Sequence, residues 1–146
     1  MKKYMTSTVI YDGELRTVAR HNASGTRIET DAPVDNQGKG EKFSPSDLVA
    51  TALGSCMLTI MGQKARDLKI DLKGTQIEIQ KTMKADPRRI SGIALNFNFP
   101  AELVLNAKQQ LILQRAAETC PVYYSIHPEI EVNINFNWQV VAENVG

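Results

Sequence analysis

The chain holds two cysteines, Cys56 and Cys120, with 63 residues between them. A thiol attacks as its thiolate, and two thiols that meet in space can cycle between free and disulfide forms. That spacing is too wide and the number too small for a secreted disulfide scaffold, so any bridge between them is expected to be transient. Each cysteine also has a plain structural reading. Cys56 lies within an apolar run, where free cysteine packs as a small hydrophobe. Cys120 precedes Pro121 at the end of a predicted helix, a corner where a thiol is either packed or presented to a neighbour.

Other chemistries find less support. Cys56, Cys120, His21 and His127 lack the short ligand spacings of a structural zinc site, so no metal is expected, and the two histidines read as surface or turn residues. Gly38-Lys39-Gly40 precedes a helix, where anions are favoured, but it does not follow the GxxxxGK[ST] phosphate pattern and reads instead as a flexible lid. No Ser/His/Asp arrangement, paired carboxylates or cofactor motif stands out. Arg16 and Arg20 fall in an early strand, by default a solvated face.

The elements that must position these groups follow from the pattern. Thr6 to Asp31 reads as short strands turning at Asp12-Gly13 and Ser24-Gly25. Residues 32–41, rich in Pro, Asp, Asn and Gly, read as a mobile connection. Ser44-Pro45-Ser46-Asp47 announces a helix, with Ser44 as cap, Pro45 at the first position and Asp47 at capping-box spacing. From Leu48 to Met61 that helix is apolar on nearly every face, which predicts burial almost all round and, in so small a chain, a dimer with this helix near the interface. Strands over Thr75–Lys84 and Ile90–Phe99 form a hairpin through Asp86-Pro87-Arg88-Arg89. A second, amphipathic helix spans Ala101 to Thr119, with Leu103, Ala107, Leu111 and Ala116 on its apolar face, and ends before Pro121. Alternation of Ile130, Val132, Ile134, Phe136, Trp138 and Val140 marks a last strand. The class is α+β, in one domain over 1–146, in the order strands, helix, hairpin, helix, strand.

Composition limits the partners. The chain of 146 residues is 42% hydrophobic and 23% charged, which suits a globular domain. Seventeen basic against sixteen acidic residues leave a net charge of +1 with no basic stripe, so nucleic acid is not an expected partner. The N-terminus lacks an apolar h-region and no run is long enough to span a membrane, so a cytoplasmic location and no membrane partner are expected.

The stretch from Phe43 to Cys56, FSPSDLVATALGSC, resembles the cysteine-helix signature of the OsmC/Ohr family, the osmotically inducible and organic hydroperoxide resistance proteins. Cys120-Pro121-Val122 falls at that family's separation for its second cysteine. Gly13-Glu14-Leu15-Arg16, Ser24-Gly25, Asp86-Pro87-Arg88-Arg89-Ile90 and the terminal strand extend the similarity over nearly the whole chain, closest to the OsmC-like branch. The resemblance implies an intertwined homodimer with two interface active sites. Each would hold the cysteine pair, an early-strand arginine and a carboxylate at the start of the cysteine helix. Carried over by motif, Cys56 would be the peroxidatic thiol, Cys120 the resolving thiol and Arg16 the arginine, with Arg20 a second candidate. The family glutamate directly follows the helix-opening proline; here that position is Ser46, and the nearest carboxylate is Asp47, turned by about 100° around the helix.

The implied activity is thiol-dependent reduction of organic hydroperoxides. Cys56 becomes a sulfenic acid, Cys120 condenses with it, and a dithiol reductant of the lipoyl type reopens the disulfide, with no cofactor. Arg16 is the cation that would favour the Cys56 thiolate. Two other readings remain: a non-catalytic module that binds a small molecule or senses redox state, and a dimeric structural or regulatory partner without pocket chemistry.

Overall fold

The computed structural model describes residues 5–139. The chain divides into two compact units, Met1–Val49 and Ala50–Gly146, each taken here by itself.

The first unit is an antiparallel meander of β1 (Ser7–Gly13), β2 (Arg16–His21) and β3 (Arg27–Asp31), in that spatial order. The first turn lies at Glu14-Leu15, two residues beyond the expected Asp12-Gly13. Both turn residues have positive φ, 55° and 60°, the primed geometry that matches strand twist. A register shift between Tyr11 and Gly13 absorbs the extra residue as a bulge. The register then sets Arg16 directly opposite Asp31 on β3.

Residues 32–41 are better anchored than a mobile lid. A 3-10 turn, Val34–Asn36, follows β3, and the Gly38 and Gly40 amides donate to Pro33 and Ala32 carbonyls at 2.9 and 3.1 Å. Gly38 is required there: a Cβ would sit 1.7 Å from the Ala32 carbonyl oxygen. Sequence composition shows only that this segment buries little; the backbone hydrogen bonds that pin it carry no compositional mark.

Helix α1 (Pro45–Asp67) starts where its capping signals place it. Its later turns belong to the second unit, together with β4 (Gln76–Lys84), β5 (Arg89–Asn98), α2 (Ala107–Ala117), α3 (Pro121–Ser125) and β6 (Glu131–Asn137). β4 and β5 form the expected antiparallel hairpin, and β6 adds parallel to β5. The core is one layer of Leu53, Met57, Met61 and Ala65 from α1 against Ile93, Leu95 and Phe97 from β5 and Phe99 just beyond it, closed by Leu113 and Ala117. The α1 residues recur every three or four positions, so they form a single buried stripe. Burial all round α1 does not hold within the chain, since Val49, Ala52, Ser55 and Thr59 are exposed. Val140, the last residue of the expected strand, lies outside the described residues.

Helix α2 departs from expectation in both start and face. Asn106 caps it by accepting the Gln109 amide at 2.8 Å, while the Gln109 side chain accepts the Asn106 amide at 3.0 Å. This reciprocal pair delays the helix to Ala107. The buried face then carries Leu113 and Ala117, while Leu111 is 46% exposed. Leu113→Ala is therefore expected to cost about 2–5 kcal/mol of stability. Leu111→Ala should stay within about 0.5 kcal/mol in urea denaturation, and equal losses would refute this facing.

Candidate active site

The cysteines meet inside the second unit. Cys56 projects from the edge of the α1 stripe, half-buried against the core, and Cys120 is fully buried at the corner between α2 and α3. Both are free thiols. The corner itself was not expected: Pro121 does not merely end a helix but opens a new one, α3, at its first position. Cys120 is the N-cap, and its Sγ accepts the Tyr123 amide at 3.3 Å.

Burial pushes the Cys120 thiol above its ordinary pKa, outweighing the Tyr123 and Val122 amides that favour the thiolate. A hydrogen bond with Cys56 and repulsion from charge there raise it further. The pair is thus asymmetric. Cys120 is thereby held in its protonated form at neutral pH, hydrogen-bonded to the Cys56 sulfur.

The first unit holds the arginine. Arg16 Nε and Nη2 donate to the two Asp31 carboxylate oxygens at 2.7 and 2.9 Å, a bidentate fork. Glu41 approaches Nη2 at 3.7 Å. The Asp31 side chain is fully buried and that of Arg16 is 21% exposed, so the cation is fixed from one side and open on another. The fork holds the Asp31 carboxyl below its ordinary range, and it strengthens the already permanent charge of Arg16. The Glu41 amide also donates to Asp31, at 3.2 Å, and the Lys42 amide adds a further hydrogen bond, tying the connection to the ion pair. Arg20 stands opposite Arg27 on the exposed part of β2, with no salt bridge among the described residues.

At the helix start, Ser44 Oγ accepts the Asp47 amide at 3.0 Å and the Asp47 carboxylate accepts the Ser44 amide at 2.9 Å. This is the capping box expected from the sequence. Ser46 Oγ lies 3.2 Å from Ser44 Oγ. Sequence reasoning therefore missed Asp31, the carboxylate that orients Arg16. Its signal was the register of the meander, in which the first residue of β2 faces the last of β3.

The α+β chain thus brings two thiols together on helical elements, Cys120 buried and Cys56 half-exposed. The OsmC-like protein family model matches residues 38–135, and the chain belongs to this family. A structure from Psychrobacter arcticus 273-4, assigned provisionally by its name to osmotic stress induction and a detoxification response, is 52% identical. It superposes with a TM-score of 0.89, over 94% of this chain and 98% of that one. The fold also matches an organic hydroperoxide resistance protein OsmC from Legionella pneumophila, with TM-score 0.70 and 20% identity over 95% and 100% of the two chains. The organic hydroperoxide resistance protein of Bacillus subtilis matches with TM-score 0.64 and 19% identity over 91% and 98%. No curated protein matches the chain in sequence.

Proposed function

We propose that this protein is a thiol-dependent peroxidase that reduces organic hydroperoxides to alcohols. The observation that carries the reading is the juxtaposed thiol pair: a buried Cys120 hydrogen-bonded to a half-exposed Cys56. In the cycle, the Cys56 thiolate attacks the hydroperoxide oxygen, the O–O bond breaks, and ROH leaves after taking a proton. Cys120 then displaces water from the Cys56 sulfenic acid to form the disulfide. An external dithiol of the lipoyl type returns both thiols by exchange.

In this reading Arg16 is the cation that favours the thiolate and holds the peroxide oxygen, with Asp31 rather than Asp47 as its orienting carboxylate. In the same reading residues 1–146 make up a single OsmC-like domain, and two chains form the intertwined homodimer. The exposure of Val9, Ile10, Tyr11 and Ile28 of the meander in the single chain supports the homodimer. A monomer mass in sedimentation at micromolar protein would refute it. Among the described residues no helix is long and apolar enough to cross a membrane, and a cytoplasmic setting would supply the reductant.

One equivalent of tert-butyl hydroperoxide is expected to remove two titratable thiols per chain and leave a Cys56-Cys120 peptide in non-reducing mass spectrometry. Loss of one thiol without the cross-linked peptide would refute the resolving role of Cys120. Ser46 in place of the family glutamate favours a second reading, a non-catalytic OsmC-like module that binds a small molecule or senses redox state. Peroxide consumption no faster than that of free thiol would select it.

A further inference from the structure

Two adjoining grooves on the second unit involve neither cysteine. The first, of about 220 Å³, is lined by Lys84, Arg89 and Ser91 at the tip of the β4–β5 hairpin and by Glu129. The second, of about 430 Å³, is lined by Tyr123, Tyr124 and Ile126 around α3 and by Val132 on β6. They share His127 and Ile130 and so adjoin, a trough with a charged end and an apolar end. The apolar end alone, at about 430 Å³, falls within the usual range of small-molecule sites, about 300–1,000 Å³.

The charges at the first end do not cancel. Lys84 and Arg89 stand against a single carboxylate, Glu129, which leaves one positive charge. Arg89 spends Nη1 on the Ala85 and Pro87 carbonyls at 3.2 and 2.7 Å, which holds the guanidinium at the groove. At the junction His127 Nδ1 accepts the Glu129 amide at 3.1 Å. The neutral ring then carries its proton on Nε2, a hydrogen-bond donor. The apolar end offers aliphatic and aromatic walls, with the Tyr123 and Tyr124 rings edge-on at 6.1 Å.

We propose that this trough binds a single-chain carboxylate: its monoanionic head at Lys84 and Arg89, its alkyl chain along Ile130, Ile126 and Val132. Charge complementarity selects the head and the apolar walls select the tail. Neither cysteine lines the site, although Tyr123 at its apolar end donates its amide to Cys120 Sγ, and its occupation requires no peroxidase activity.

The test is calorimetric titration of the reduced full-length protein with sodium decanoate below its micellar concentration. One molecule per chain should bind. Lys84→Gln with Arg89→Gln should weaken binding by about tenfold or more, the usual scale for losing a charge-assisted hydrogen bond. Val132→Asn should weaken it several-fold, and hexanoate should bind less tightly than decanoate. Circular dichroism of each variant separates lost binding from lost folding. No saturable binding at millimolar decanoate would overturn the proposal. Equal affinity for decanol, unchanged affinity in the Lys84/Arg89 variant, or binding confined to anionic phospholipid vesicles would do the same.

Discussion

Replacing Cys56 by Ser should reduce turnover of tert-butyl hydroperoxide by at least about 10³-fold, because removing the nucleophile leaves no covalent route for oxygen transfer. Cys120→Ser should behave differently. It should consume one equivalent of hydroperoxide and stop, leaving a Cys56 sulfenic acid that dimedone traps. The contrast follows from the site. Cys120 is fully buried with its proton held by desolvation and by Cys56, whereas Cys56 lies half-buried at the edge of the core. If the roles were reversed, Cys120→Ser would be the dead variant and Cys56→Ser would give the single turnover. Steady-state rates near wild type in Cys56→Ser would end the peroxidase reading altogether.

The second large effect concerns Asp31, which lies outside the cysteine helix and outside any motif. Asp31→Asn preserves shape but turns one acceptor of the Arg16 fork into an amide donor, so donor faces donor. The guanidinium should leave its position, and kcat/KM for hydroperoxide should fall by about 10²-fold, the scale associated with small misplacements of catalytic groups. Arg16→Lys, which keeps the charge and loses the fork, should fall comparably. Wild-type kcat/KM in either variant would remove Arg16 from the mechanism. Stability gives a second readout. Because the folded-state pKa of Asp31 is lowered, its contribution is present above the ordinary carboxyl value and is lost as pH falls through the folded value. Wild type should therefore lose stability on acidification below about pH 4, and Asp31→Asn should show a shallower acid dependence of its urea midpoint.

Local signals made much of this protein legible in its sequence. The capping box at Ser44 and Asp47, the alternation in β5 and β6, and the cysteine-helix signature each act over a few residues, and each appears where the sequence places it. What sequence alone misplaced depended on competition or on pairing between distant segments. Asn106 and Gln109 outcompeted the residues before them for the start of α2, and packing against the core buried Leu113 and Ala117 in place of Leu111. Pro121 opened a helix because Cys120 could cap it, a role that composition assigns more readily to Ser, Thr, Asp or Asn.

The sequence by itself determined the α+β class, and its resemblance to the OsmC/Ohr family pointed to the cysteine pair and to Arg16. Only the tertiary structure decided that Cys120 is the buried thiol, with its pKa raised, and which carboxylate holds the arginine. The reason is physical. The pKa of Cys120 is set by desolvation and by a partner 64 positions away, and the Arg16 fork by strand register, so neither is encoded in the identity of the neighbouring residues.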